Sequence, residues 1–393
     1  MYIYAIFNNM QQNQILLKNT IIRKLENAHA IWFEASKSFL LFEEPAFTVF
    51  QMVSNAIKTE EIIKTCKKKY GHIEENIAQF VHEIIEQIEH FNNAESYDPI
   101  TVNLTDNLTT SNQSFPLQSS YRIGNAVISV HYQNENLKSA IHPVIKHLEI
   151  QEEGKIKHML EIVENEEILY FKYNGKNSEA FKSEDITYFS GAVKQQMYSI
   201  VFKRGFNDWM MILHASGVVS NNESVLFSAA SGSGKSSVSA ILKANGFGYI
   251  SDDFIAADEN GDVYPFPAAI SIKEGAVKRL SEFYPELMGK DTETAFTGKT
   301  VRYLPVFNYA EMAAAPFPVK ALVFVQYNNS DSFHFEKVSK KEALQLLLKE
   351  TWVNPVSDKV TRFFDWIEKT DFYRLQYSKW EQALNAIQRI YSR

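Results

Sequence analysis

The chain has 393 residues, of which 45% are hydrophobic and 22% charged, and this composition excludes a wholly disordered protein. Its length predicts two or three domains, each large enough to bury its own core. A formal net charge of −7 argues against a protein dominated by nucleic-acid binding, and the single cysteine, Cys66, excludes an internal disulfide and a cysteine-based zinc site.

The sequence contains no run of the roughly eighteen to twenty apolar residues that a membrane span needs. Its first residues, MYIYAIFNNMQQNQ, lack the basic start of a secretory signal and turn polar after a short apolar run. We therefore expect a cytoplasmic protein that is not membrane-bound.

The first 92 residues predict β-strands followed by three helices. The strand-like runs are MYIYAIF, AIWFEA and SFLLFEE. Pro45 suits the first residue of an amphipathic helix. A second helix is expected to have Thr59 as its N-cap and to stop at Gly71, and a third covers EENIAQFVHEIIEQIEHF.

A hairpin with three helices is the outline of a winged helix-turn-helix domain. A small regulatory or scaffolding domain is the simplest interpretation. DNA binding is a second interpretation, because KTCKKKYGH is locally basic. We rank nucleic acid lower, since such charge runs are more often solvated and this one lies at a helix end, where it complements the helix dipole.

The stretch IWFEASKSFLLFEEPAFTVFQMVSNAIKTEEIIKTCKKKYGHIEENIAQFVHEIIEQIE resembles the PqqD-like family, the recognition elements of systems that modify ribosomally synthesised peptides. The resemblance covers residues 1–92. It implies that a leader peptide adds as a strand to the hairpin edge and lies against the last helix. Unpaired N–H and C=O groups at a sheet edge would supply affinity, and alternate side-chain pockets would supply specificity.

The remainder predicts three segments, giving an α+β and α/β multidomain protein. Residues 93–120, rich in Asn, Ser and Thr, predict a linker. Residues 121–210 combine the strand-like runs AVISVHY and EILYFKY with a helix around AVKQQMYSIVFKRG, and we expect them to pack on the following domain. Residues 211–393 predict an α/β domain, with ALVFVQY as a buried strand and KKEALQLLLKET as a helix.

The sequence SAASGSGKSS, which follows the apolar run VLF, predicts a phosphate-binding loop between a strand and a helix. Lys235 is expected to bridge the β- and γ-phosphates and Ser236 to hold Mg²⁺ through its hydroxyl. A flexible Ser/Gly turn before a helix is the alternative. The predicted nucleotide-binding residues are Ala229, Ala230, Ser231, Gly232, Ser233, Gly234, Lys235, Ser236 and Ser237.

Three titratable residues flank this loop. GFGYISDDF ends in Asp252 and Asp253, which we expect at the carboxyl edge of a parallel sheet, facing the same crevice. Adjacent strand residues point to opposite sides, so one acid is expected to assist the metal and the other to take a hydroxyl proton. Capping of the following turn is the alternative. His214 ends an apolar run before a predicted hairpin.

From Trp209 to Glu274 the chain resembles the HPr kinase/phosphorylase-like group, relatives of phosphoenolpyruvate carboxykinase. His214 lies 21 residues before Lys235, and Asp253 lies 18 residues after it, as in that family's motif. The segments YPFPAAISIKEG, TGKTVRYLP and FYRLQYSKWEQALNAIQRI are also similar to one branch of the group. With them, the resemblance spans residues 121–393.

This resemblance implies roles for five residues. Asp253 would accept the proton of the substrate hydroxyl, His214 would line the site, and Asp252 would support magnesium. Ser231 would lie near the transferred phosphate. Arg302, with Lys299 nearby, is the candidate for the family's distal arginine, which handles phosphate on the acceptor.

The resemblance leaves two positions open. The family's distal acidic metal ligand has no match before Glu274. Lys273 either meets phosphate or begins a helix.

The favoured hypothesis is an ATP- and Mg²⁺-dependent kinase that phosphorylates a Ser or Thr hydroxyl of a precursor peptide whose leader binds the first domain. A kinase for a small hydroxyl compound such as free serine is the first alternative. A nucleotide-gated module that delivers a peptide without chemistry is the second. Other peptide-modifying enzymes and a homo-oligomer are further expected partners.

Overall fold

The computed structural model describes residues 17–71, 76–94, 101–102, 113–151, 157–230, 232–289, 293–294, 300–306, 309–330 and 332–392. The chain forms two compact units. Unit 1 contains Met1–Tyr97, Ser339–Glu342 and Pro355–Phe364, and unit 2 contains Asp98–Val338, Ala343–Asn354 and Asp365–Arg393. This mixed α/β architecture confirms the coarse fold class, and the two family-specific domains stay predictions. Within the described ranges, no helix combines the length and apolarity of a membrane span.

Unit 1 contains an antiparallel sheet of order β1-β2-β3 followed by three helices. Its elements are β1 (Thr20–Leu25), β2 (Ala28–Phe33), β3 (Ser38–Glu43), α1 (Glu44–Ser54), α2 (Thr59–Tyr70) and α3 (Ile77–Asn93). The β2–β3 hairpin and the three helices confirm the predicted elements, whereas β1 is an additional strand. The predicted strand MYIYAIF lies outside the described residues. Thr59 is the first residue of α2 and the N-cap is Lys58, because the extended backbone falls at that position.

The core of unit 1 forms where the helices pack on the sheet. Along α3, Ile77, Val81, Ile84 and Ile88 are buried at helical spacing, as an amphipathic helix requires. Cys66 on α2 is fully buried in the same core. The stability of this unit therefore rests on apolar packing.

Unit 2 begins with an eight-stranded mixed sheet of order β4-β11-β9-β8-β6-β5-β7, with β10 paired to β9. Its elements are β4 (Thr101–Val102), β5 (Leu117–Ile123), β6 (Ala126–Tyr132), α4 (Glu135–Ile145), β7 (Glu149–Ile150), β8 (His158–Asn165), β9 (Ile168–Tyr173), β10 (Lys176–Asn177), β11 (Ala180–Lys182) and α5 (Ile186–Phe202). Strand β5 begins inside the segment predicted as a linker, and α5 begins earlier than the predicted helix.

This sheet shares its core with the part of the chain that follows it. Tyr198 on α5 stacks on Phe266 with ring centroids 4.8 Å apart and contacts Trp209 edge-on. All three aromatic side chains are fully or almost fully buried in one cluster that includes residues of β5, β6 and β8. The β-rich segment therefore packs within the same unit as the glycine-containing loop.

Three further sheets and six helices complete unit 2 as described, with the first residues of two of these helices assigned to unit 1. The strands are β12 (Met211–Leu213), β13 (Ala215–Ser220), β14 (Glu223–Ser228), β15 (Gly248–Ser251), β16 (Ile255–Ala257), β17 (Ile270–Lys273), β18 (Glu293–Thr294), β19 (Thr300–Leu304), β20 (Val319–Tyr327), β21 (His334–Lys337), β22 (Thr351–Val353) and β23 (Asp371–Tyr377). The helices are α6 (Lys235–Ala244), α7 (Glu274–Leu280), α8 (Tyr309–Ala314), α9 (Lys340–Leu347), α10 (Ser357–Lys369) and α11 (Trp380–Tyr391).

The six-stranded sheet of order β15-β13-β14-β20-β23-β21 brings the predicted site residues to one edge. Strands β14, β20 and β23 are parallel, whereas β13 is antiparallel to both β14 and β15. The sheet is thus mixed rather than purely parallel. Because β13 is antiparallel to both of its neighbours, β14 and β15 run in the same direction, and their carboxyl ends lie at the same edge of the sheet.

Candidate active site

A glycine loop, residues 229–234, connects the end of β14 to the start of α6. Gly232 and Gly234 have φ of +99° and +98°, a backbone region that glycine adopts without steric cost. A Cβ at Gly234 would lie 2.8 Å from the Tyr377 hydroxyl oxygen and 3.0 Å from Cβ of Tyr327. Only glycine fits there. Ser231 lies outside the described residues.

Hydrogen bonds fix the loop and the first turn of α6. The Ser233 N–H donates to the Ala230 carbonyl at 3.2 Å, and the Tyr327 N–H donates to the Ser233 carbonyl at 2.8 Å. The Ser216 hydroxyl on β13 donates to the Lys235 carbonyl at 3.2 Å. The first N–H groups of a helix have no acceptor within the helix and carry positive potential, so α6 presents an anion-binding end to the loop.

Lys235 meets the segment that precedes β13 and the acid that follows β15. Its side chain is only 7% exposed, and its Nζ lies 3.4 Å from Oδ1 of Asp253. The same Nζ donates to the His214 carbonyl at 3.2 Å. Three residues that the sequence selects therefore converge on one point.

His214 bridges two carboxylates. Its Nδ1 lies 2.7 Å from Oε2 of Glu350, and its Nε2 lies 3.3 Å from Oδ1 of Asp253. The hydrogen bond to Asp253 raises the pKa of His214, although burial acts in the opposite direction. The His214 N–H also donates to the Glu350 carbonyl at 2.8 Å, so Glu350 fixes both the backbone and the ring.

Asp253 is an accessible, ionised carboxylate. Burial by itself would raise its pKa, but the hydrogen bond from His214 and the charges of Lys235, His214 and Lys194 hold the pKa of Asp253 well below its usual range. Its side chain is nevertheless 48% exposed. An ionised, half-exposed carboxylate can accept a hydrogen bond from a molecule that enters from solvent.

Asp252 faces the other way. It is buried, and the Ser236 hydroxyl lies 3.0 and 2.9 Å from its two carboxylate oxygens, while the Ser271 N–H donates to it at 3.1 Å. Burial, with the adjacent charge of Asp253, raises the pKa of Asp252 to about 7. The left-handed backbone of Asp253, with φ of +64°, turns the chain so that the two acids face different partners.

The structure adds two residues that sequence reasoning missed. Lys194 on α5 acts electrostatically on both acids, and its own pKa is lowered by burial. Glu350 is 136 residues from His214 in the chain, so no local pattern connects them. Lys194 is the one charged residue of α5, and this is the sequence signal that could have pointed to it.

Arg302 lies on β19, opposite Ile272 of β17, and donates to Glu274 Oε2 at 2.7 Å. It therefore belongs to the strand pair beside Asp252. The predicted role of Arg302 with the acceptor phosphate stays a prediction. Its predicted neighbour Lys299 lies outside the described residues.

Two oxygen ligands suited to Mg²⁺ are present in the Ser236 hydroxyl and the Asp252 carboxylate. Across the described parts of the chain, no group of three His, Cys, Asp or Glu side chains could hold a metal by itself. This is compatible with Mg²⁺, which usually takes one or two carboxylates and completes its shell with water and substrate phosphates.

Unit 1 carries a separate candidate surface. Among the described strands, β1 and β3 each pair only with β2, so both present a sheet edge. A cavity of about 620 Å³ adjoins β1 and is lined by Ile22 and by residues of α1 and the turn after it, including Phe47 and Met52. Such an edge beside a cavity lined by both apolar and polar side chains is suited to an extended peptide.

Comparison with protein-family models gives no match for this chain, and comparison with curated proteins gives none either.

Proposed function

We propose that this protein is an ATP-dependent kinase that phosphorylates a Ser or Thr hydroxyl of a ribosomally synthesised precursor peptide. One observation carries the proposal: the ammonium of Lys235, the first helical residue of a strand–glycine loop–helix segment, lies 3.4 Å from the Asp253 carboxylate. Around this pair, Ser236 and Asp252 supply oxygen ligands, and His214 holds Asp253 in place.

The residues fit a nucleoside triphosphate with Mg²⁺. The glycine loop and the N-terminus of α6 would hold the phosphates, and Lys235 would exchange its contact with Asp253 for the β- and γ-phosphate oxygens. Ser236 and Asp252 would hold Mg²⁺, which neutralises phosphate charge when it is bound. Gly232 supports this fit, because a Cβ there would meet only the Lys273 ammonium within 4 Å, so the loop backbone is open at this point.

Asp253 would orient the acceptor hydroxyl and take its proton. The hydroxyl oxygen forms a bond to the γ-phosphorus, the bond from that phosphorus to the β–γ bridging oxygen breaks, and ADP leaves. The lowered pKa keeps Asp253 ionised before the nucleotide binds, so that it can accept a hydrogen bond from the hydroxyl. A loose transition state needs little removal of the hydroxyl proton before the phosphoryl group moves. Positioning and charge neutralisation would then supply most of the acceleration.

Unit 1 would bind the leader of the precursor peptide. The sheet edges at β1 and β3 and the cavity beside β1 support this assignment. Binding of the leader would raise the local concentration of the residue to be modified. We further propose a reducing cytoplasmic location, in keeping with the buried free thiol of Cys66, and contacts with other peptide-modifying enzymes or with a second copy of the chain.

The test is to incubate the purified protein with ATP, Mg²⁺ and the precursor peptide encoded beside it, and to follow phosphate incorporation by mass spectrometry. Wild type is expected to phosphorylate the peptide, and Asp253→Asn is expected not to. Free leader peptide should inhibit this reaction as a competitor. Absence of phosphopeptide with wild type, or equal product with Asp253→Asn, would overturn the proposal.

A kinase for a small hydroxyl compound is the second candidate. The favouring observation is that the named site residues all belong to unit 2. Free serine in place of the peptide distinguishes the two: turnover of serine that free leader peptide does not inhibit would favour the small acceptor. Nucleotide binding without turnover of any acceptor would favour a peptide-delivery module.

A further inference from the structure

A second lysine, Lys273, faces the glycine loop from the side of β17. Its Nζ lies 3.9 Å from the position that a Cβ on Gly232 would take. Because Gly232 has no side chain, the loop backbone is open toward this ammonium group. Lys273 is the last residue of β17 and the N-cap of α7.

The strand pattern explains why this lysine points to the loop. Along β17, Ile270 and Ile272 are buried in an apolar cluster, whereas Ser271 and Lys273 are part-exposed on the opposite face. The N–H of Ser271 donates to Asp252, the acid that also binds Ser236. One short strand thus extends from Asp252 to the middle of the loop.

Two lysines have their ammonium groups at the glycine loop. Lys273 lies beside Gly232. Lys235, the first residue of α6, is held by the His214 carbonyl and Asp253. The two ammonium groups therefore approach the glycine loop from different elements, β17 and α6, and a phosphate chain in the loop would lie between them.

We propose that Lys273 is a further catalytic residue, one that contacts the oxygens of the terminal phosphate of the donor nucleotide. The proposal rests on the proposed kinase function. Lys235 would reach the β- and γ-phosphates from the helix side, and Lys273 would neutralise the charge of the transferring group from the strand side. A cation supplied in this way stabilises the charge that spreads over the phosphoryl oxygens during transfer.

The experiment compares wild type with Lys273→Met, using Lys278→Met as the matched control because Lys278 is exposed on α7. Affinities are measured for ADP and for a non-hydrolysable ATP analogue, both with Mg²⁺, and turnover is measured with the precursor peptide. For Lys273→Met we expect analogue affinity to fall by about tenfold and turnover by about 100-fold, as for the loss of one charge-stabilising donor. ADP affinity should stay within about twofold of wild type, which also shows that the variant is folded. Lys273→Arg should recover part of the turnover.

Unchanged analogue affinity and turnover in Lys273→Met would overturn the assignment. An equal loss of ADP and analogue affinity would overturn it as well, because it would indicate support of the loop rather than contact with the terminal phosphate. Both results would leave the kinase function standing if wild type phosphorylates the peptide. A wild-type protein that binds neither nucleotide would overturn both proposals.

Discussion

The two sides of the candidate site differ although they are built around adjacent residues. On the side proposed to bind Mg²⁺, here called the metal side, Asp252 is buried with Ser236 and the Ser271 N–H, and burial raises its pKa to about 7. On the side proposed to bind the hydroxyl, here called the acceptor side, Asp253 is half-exposed beside His214 and Lys235, and its pKa is lowered. The two residues have the same side chain, so their environments make the difference.

Neighbouring cations and access to water, rather than position in the chain, therefore decide what each acid can do. A buried carboxylate that is held by neutral hydrogen-bond donors would be stabilised by a bound cation such as Mg²⁺. A carboxylate already surrounded by positive groups stays ionised and can receive a hydroxyl. The four predictions below test this difference.

The largest expected effect is that of Asp253→Asn on the acceptor side. The amide cannot take the hydroxyl proton, so phosphate transfer should fall by about 100- to 10,000-fold. Affinity for ADP with Mg²⁺ should stay close to that of wild type, because the metal side is unchanged. Phosphopeptide formation measures the rate, and calorimetry measures the ADP affinity. A rate near that of wild type would show that Asp253 is not the proton acceptor.

Asp252→Asn should act through the metal instead. Loss of a carboxylate near Mg²⁺ should weaken the metal's apparent affinity by about 10- to 100-fold, and raised Mg²⁺ should restore part of the turnover. A Mg²⁺ titration of the rate measures this, with Glu286→Gln as a control at an exposed acid in unit 2. If excess Mg²⁺ rescued Asp253→Asn instead, the two sides would be assigned the wrong way round.

The pH dependence of Mg²⁺ binding should follow Asp252. Because burial raises the pKa of Asp252 to about 7, this carboxyl holds a proton at pH 6 that the metal must displace. Apparent Mg²⁺ affinity should therefore rise with pH, by up to about tenfold per unit, and level off above about pH 7. The same titration with Asp252→Asn should be flat over this range, and a slope equal to that of wild type would contradict the assignment.

The smallest expected effect is that of Glu350→Gln, which acts on His214 alone. The Glu350 carboxylate accepts a hydrogen bond from the His214 ring and so helps to raise the pKa of His214. A neutral amide stabilises the protonated ring less, so Glu350→Gln should lower that pKa, as NMR titration of the imidazole protons would show. Turnover should fall by about tenfold or less, since a single hydrogen bond contributes about 1 kcal/mol net. Glu381→Gln, at an exposed acid on α11, is the control. A larger loss than in Asp253→Asn would make Glu350 the principal acid of this side.

The parts of the fold that could be predicted are those with a local signal. The β2–β3 hairpin, the turn before β14, the glycine loop and α6 each follow from apolar alternation, turn residues or helix periodicity in a short window. Strand β1 had no such signal, because its sequence TIIRKL places apolar residues side by side and charged residues side by side instead of alternating them. A sheet with mixed directions was also out of reach, since strand order depends on pairings far apart in sequence.

The same limit divides the site. His214, Lys235, Ser236, Asp252 and Asp253 could be selected because they lie within 40 residues of one another and match a spacing. The structure brings them within hydrogen-bond or ion-pair distance, and their chemical roles stay predictions. Lys194 and Glu350 were not selected, because they lie on a helix and a turn outside this stretch of the chain.

The positive φ of Asp253 limits which replacements are informative at this position. Asparagine, like aspartate, tolerates this conformation, so it removes the charge with little backbone cost. Alanine or a branched residue would add backbone strain of about 1 kcal/mol or more to the loss of the carboxylate, and a fall in rate could then arise from misfolding. A saturation library at residue 253 should for this reason separate into variants with lower yield of folded protein and a few well-folded, inactive ones, and the second group alone reports on chemistry.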